Sequence, residues 1–201
     1  MKRPSQVLLG FTVFIFLPIL YFSLVKGQSV AIWLIPIGAL GAAIYVLSPQ
    51  IDWWWYSKNP VKPSIGIKNY LNKNFPGFVL MSEEEKMVFY QRLTLFEMSK
   101  NFISKAEEEI PDDFRLLIVL NGLKVGYHLK DPLFRNIENV VIYGHAFPSP
   151  KFPDRLHCSE YDKEDEVIIF SMPHFIKGFQ NPSQFFPIGI YEFVKVALHR
   201  Y

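Results

Sequence analysis

Gly189-Ile190-Tyr191-Glu192-Phe193-Val194-Lys195-Val196-Ala197-Leu198 is the stretch whose reading decides the fold of this chain. Its apolar residues recur at helical spacing, so the run reads as a helix. Glu192 is then a carboxylate set among apolar neighbours. Tyr191 and Lys195 stand four residues apart, which puts them on one face about one turn apart.

The same spacing is the frame of the His-Glu-x-x-His motif. There, two His at i and i+4 hold Zn²⁺, and the Glu after the first His is the general base. Here Tyr191 and Lys195 stand where the two His would be. A phenol with a pKa of about 10 and an ammonium with a pKa of about 10.4 are poor zinc ligands at neutral pH.

Outward from that helix, composition limits the alternatives. The chain has 201 residues, 50% hydrophobic and 16% aromatic against 20% charged, too apolar for a disordered chain. A formal charge of +2 gives no nucleic-acid footprint. Cys158 is a single cysteine, so no internal disulfide is available, which fits a reducing compartment.

Two uncharged runs, 7–25 and 30–47, are of roughly bilayer-spanning length, joined by the short turn Lys26-Gly27-Gln28-Ser29. They read as a transmembrane helical hairpin over residues 1–50, with Gly38, Gly41 and Ala42 small enough for close helix contact. No ionisable residue lies inside either run, so the reading is an uncleaved anchor rather than a transporter. Lys2 and Arg3 precede the first run, and Lys58, Lys62 and Lys68 follow the second. The positive-inside rule then puts both ends in the cytoplasm, with the soluble domain on the cytoplasmic side of the cell's inner membrane. Trp53-Trp54-Trp55-Tyr56 fits an aromatic belt at that interface, and the Pro-rich linker closes residues 51–63.

The soluble part, 64–201, opens with a short helix over Ser64–Asn74. Ser82-Glu83-Glu84-Glu85 is a capping box, and the helix it starts is expected to run to about Glu107, with Phe89, Leu93, Phe96 and Ile103 on its core face. Glu107-Glu108-Glu109 reads as a solvated helix end. Pro111-Asp112-Asp113 starts another helix, buried around Leu116–Leu120. Strands are expected at Asn139–Tyr143 and Glu166–Phe170, with Ser171 capping the helix that follows. Residues 144–161 read as a Pro-rich loop holding His145, His157 and Cys158. One His-Cys pair without a second at ligand spacing is weak ground for a metal site. No serine elbow and no phosphate-binding glycine loop is present. The order of elements gives an α+β class.

From about Trp53 onward the sequence resembles the MtfA-like (glucose-regulated) zinc metallopeptidases, in particular their membrane-anchored branch. The resemblance rests on Asn74-Phe75-Pro76, on Ser82-Glu83-Glu84-Glu85-Lys86 with Phe89, Arg92, Leu93 and Phe96, and on Ile110-Pro111-Asp112-Asp113. It continues through Val141-Ile142-Tyr143 and Ile168-Ile169-Phe170-Ser171 with Gly178, and ends on Gly189-Ile190-Tyr191-Glu192-Phe193. It implies a zincin-like fold, a zinc cofactor in the family, and a general base at Glu192. Tyr191 and Lys195 fall on the two ligand positions, and Tyr201 ends the chain before the family's downstream ligand. No cofactor is therefore expected here. Without a metal to acidify water, Glu192 has nothing to deprotonate. Lys195 at i+3 can instead pair with it and structurally replace the metal centre.

The leading expectation is a membrane-anchored, zincin-like domain that has lost catalysis and binds a peptide or protein, with strand addition along an exposed edge at Val167, Ile168, Ile169 and Phe170. One alternative is an active zinc metallopeptidase seen as an incomplete chain. The other is a membrane-tethered structural or assembly protein.

Overall fold

The computed structural model describes residues 3–26, 32–61, 63, 65–106, 109–149 and 152–200. The turn expected over Gly27-Gln28-Ser29, the start of the second run at Val30, Glu107-Glu108, Tyr201, Lys2 and Lys62 lie outside the described residues. The chain divides into two compact units, Met1–Val61 and Lys62–Tyr201.

The first unit holds α1 (Pro4–Lys26), α2 (Leu34–Val46) and α3 (Ser48–Lys58). The stretch Pro4–Val25 has 22 residues and carries no Asp, Glu, Lys or Arg. It is long and apolar enough to cross a membrane. At 1.5 Å per residue it covers about 33 Å, against about 30 Å of hydrocarbon. The second run behaves differently. Its helix α2 has 13 residues, about 20 Å in length, and is followed by α3 at a bend of 64°. The break has a covalent cause: Pro49 lacks the N–H that would bond the Tyr45 carbonyl, so the helix cannot run straight through it. Small residues do bring α1 and α2 close, and a Cβ on Gly41 would lie 3.4 Å from Thr12 Cγ2.

The second unit contains α4 (Ile65–Asn74), α5 (Pro76–Val79), α6 (Glu83–Met98), β1 (Asn101–Ser104), α7 (Asp112–Gly126), β2 (Asn139–Tyr143), β3 (Phe147–Ser149), β4 (Phe152–His157), β5 (Ser159–Asp162), β6 (Val167–Ser171), α8 (Met172–Gln180) and α9 (Ile188–Arg200). It is a mixed helix-and-sheet architecture. The main sheet has the order β1-β2-β6-β5. β1, β2 and β6 run parallel, and β5 pairs antiparallel with β6. β3 and β4 form a separate antiparallel pair.

The expected edge strand is corrected by this order. Val167, Ile168, Ile169 and Phe170 pair on both sides, with β2 and with β5, so they form an interior strand. Their unbroken apolar run suits a strand covered on both faces. The helix expected from Ser82 to about Glu107 also ends early. Ser99 closes α6, its N–H bonding the carbonyls of Leu95 and Phe96. Phe102 and Ile103 then belong to β1, where exposure alternates. Lys100 makes the break. Its buried ammonium donates to the carbonyls of Phe134 at 2.8 Å and Ile137 at 2.7 Å. Burial pushes it down to about 8, with Arg135 adding to the shift and Asp131 opposing it.

α9 carries the centre of the core. Phe193 is fully buried, with ring centroids 5.9 Å from Phe96, 5.2 Å from Phe134 and 6.4 Å from Phe170. Gly122 on α7 makes the close approach possible. A Cβ there would lie 2.5 Å from Phe96 Cζ and 3.1 Å from Phe193 Cζ.

Candidate functional site

The buried face of α9 repeats at Gly189, Glu192, Phe193 and Val196, while Tyr191, Val194 and Leu198 stay exposed. Glu192 is therefore turned inward by the helical period. Only 1% of it is exposed. An ionised carboxylate at such a place is costly unless charged and hydrogen-bonding partners surround it. Both of its oxygens have one. Lys195 Nζ donates to Oε2 at 2.9 Å, and Ser159 Oγ donates to Oε1 at 2.8 Å. The i+3 spacing carries the lysine contact, as the sequence led us to expect.

Ser159 is brought in by the sheet. β5 is the terminal strand, and Ser159 and Tyr161 share the face turned toward α9, as the contacts of Ser159 with Glu192 and of Tyr161 with His199, ring to ring at 5.9 Å, show. Glu160 points to the other face and accepts from Ser149 Oγ at 2.8 Å. Sequence reading missed Ser159 because residues 144–161 read as a loop. A signal was present in Asp162, whose carboxylate accepts from the N–H of Glu164 at 2.9 Å and of Asp165 at 3.4 Å. That is the local turn chemistry of an Asp between two strands. Two of the prolines of the stretch, Pro148 and Pro153, sit in the small pair β3–β4, where an edge position tolerates a missing N–H.

Tyr191 and Lys195 do lie on one face, with Nζ 5.4 Å from the centre of the Tyr191 ring. Neither suits a metal. Tyr191 is 45% exposed and packs its ring on Phe186, and Lys195 is spent on Glu192. His199 is exposed on the next turn. His145 lies against Tyr143, while His157 and Cys158 are half-buried at the start of the β4–β5 connection. Among the described residues no group of three or more His, Cys, Asp or Glu stands together to hold a metal ion. The donor set at the Glu192 position does not fit zinc.

Ser171 was expected to cap α8 with its side chain. It occupies the cap position without that bond, and its hydroxyl shares a 2.9 Å hydrogen bond with His174 Nδ1 instead. A cavity of about 310 Å³ lies in this unit, lined among others by Tyr70, Phe75, Lys124, Phe179 and Ile190. It takes in none of Glu192, Lys195 and Ser159. Burial raises the Tyr70 phenol to about 12.

The site can thus hold a neutralised carboxylate next to the terminal strand of a sheet. Compared with known proteins, the chain matches no family model, no curated protein and no solved structure.

Proposed function

We propose that this chain is a membrane-anchored, zincin-like relative of the MtfA-like metallopeptidases whose soluble unit binds an extended peptide or protein segment without cleaving it. The observation that carries the reading is the closed state of Glu192. Both oxygens accept bonds from Ser159 and Lys195, so the carboxylate at the general-base position is engaged in a structural contact. Lys195 takes the place that a ligand would need.

Strand addition is the binding mode the sheet favours, at β5 rather than at the interior β6. The Ser171 N–H bonds the Cys158 carbonyl at 2.8 Å. This fixes the antiparallel alternation, so the N–H and C=O of Ser159 and Tyr161 turn away from β6. An added strand takes its affinity from such main-chain groups. Support for the anchor comes from α1, which is long and apolar enough to cross a membrane.

The test uses the full chain in detergent micelles with an extended, β-prone peptide. Hydrogen exchange at the Ser159 and Tyr161 amides is followed while the peptide is checked for cleavage. Slowed exchange at both amides and an intact peptide support the reading. Cleavage that Glu192→Gln abolishes would overturn the loss of catalysis. Binding that leaves both amides unprotected would overturn the strand-addition mode.

A further inference from the structure

Asp52 joins two ends of the first unit that lie far apart in sequence. It sits on α3 and is 4% exposed. Its Oδ1 accepts from the Ser5 backbone N–H at 2.9 Å, and its Oδ2 accepts from Ser5 Oγ at 2.9 Å. Ser5 stands in the first turn of α1, where backbone N–H groups have no partner within the helix and the helix dipole favours a negative charge. A carboxylate from a different helix thus caps α1. The burial of Asp52 is explained by that contact.

The contact fixes a level. α1 is long and apolar enough to cross a bilayer, and its first turn then marks one membrane face. Asp52 touches that turn, so α3 lies at the same face. However far α2 reaches, the chain after it comes back to Ser5 at Asp52. α3 leaves the α2 axis by 64° after Pro49, and it does so beside the first turn of α1. Its composition suits the headgroup layer. Trp54 and Trp55 are exposed, and Lys58 Nζ lies 4.7 Å over the Trp54 ring. Trp at the water boundary with a cation beside it is the chemistry of an interfacial segment.

We propose that α3 is an interfacial helix, seated in the headgroup layer on the bilayer face where α1 begins, and that the Asp52–Ser5 contact is the clasp that holds it there. The occupant of its exposed aromatic surface is lipid. Arg3 and Lys58 then lie on one side of the membrane. This inference is independent of the peptide-binding reading.

The test uses the full chain in phosphatidylcholine–phosphatidylglycerol vesicles. Trp33 is changed to Phe, leaving Trp53, Trp54 and Trp55 as reporters. Lipids brominated near the headgroup should quench their fluorescence at least twofold more than lipids brominated near the chain ends. Asp52→Ala should erase that bias. In a second arm, Cys158→Ser carries new cysteines as Arg3→Cys and Lys58→Cys. In sealed vesicles an impermeant maleimide should label both sites of a molecule or neither. Stronger quenching by the deep bromines, or molecules labelled at one site alone, would overturn the placement of α3. An Asp52→Ala chain with unchanged depth would overturn the clasp.

Discussion

Lys195 reaches back one helical turn to Glu192 and holds its Oε2 at 2.9 Å, so that one helix supplies both the buried charge and its neutralisation. The two side chains are unequal, with 2% of the Glu192 side chain exposed against 32% for Lys195. Removing the lysine leaves a buried carboxylate with Ser159 alone, while removing the carboxylate leaves an ammonium that can turn to water. Lys195→Met should therefore cost more than Glu192→Gln, by roughly 1 kcal/mol, out of a loss of about 2–3 kcal/mol for the lysine change. A double-mutant cycle read by circular dichroism during urea unfolding should show coupling of at least about 1 kcal/mol. Additive losses would show that the pair has no structural role.

Lys100 gives a pH signature. Its folded pKa, about 8, is below the ordinary lysine value. Between those two values the unfolded chain holds a proton that the folded chain has released, so stability rises with pH across that window. Below the folded value both states are protonated, and the cost of burying the charge is paid in full. Both carbonyl bonds survive deprotonation, since a neutral amine still has two N–H groups. Lys100→Met should remove the rise, seen as a flatter urea midpoint from pH 8 to 10 relative to the parent chain.

Gly122 and Gly178 should respond differently to a methyl group. At Gly122 the added Cβ meets the Phe96 ring 2.5 Å away, and a ring can shift. At Gly178 it meets the backbone carbonyl of Phe186, which is held by the chain. Gly122→Ala should cost about 1–3 kcal/mol, and Gly178→Ala should cost more. Thermal unfolding of the two variants, side by side, decides the order.

Ser82 and Glu85 form a reciprocal capping box at the start of α6, with the Ser82 N–H to Glu85 Oε2 at 2.8 Å and the Glu85 N–H to Ser82 Oγ at 3.2 Å. Ser82→Ala should cost about 1 kcal/mol. Hydrogen exchange should quicken at the first turn of α6 and leave α9 untouched.

Local chemistry was readable, and pairing was not. The Ser82 box, the Pro111 start of α7, the β2 segment and the Glu192–Lys195 spacing all depend on residues within about one turn of each other. Phe102 and Ile103 were misplaced on a helix because their apolar character continues the period of α6. What moves them to β1 is the pairing of residues 101–104 with 139–142, a contact across the chain. Ile168 read as an edge residue for the same reason, since only the return of β5 covers its outer side. Ser159, the second partner of Glu192, is 33 positions away in sequence, and its role is set entirely by the placement of the sheet.

The position of Phe193 bears on how the chain is made. Its ring meets Phe96, Phe134 and Phe170, which lie on three other parts of the unit. α9 is the last described element to leave the ribosome. Until it emerges, those three aromatic rings have no partner at their centre and the apolar interior stays open. The second unit therefore cannot close around Phe193 until α9 has followed the helices and strands before it out of the ribosome. A nascent chain arrested before Gly189 should stay protease-sensitive and bind chaperones, whereas one released after Arg200 should not.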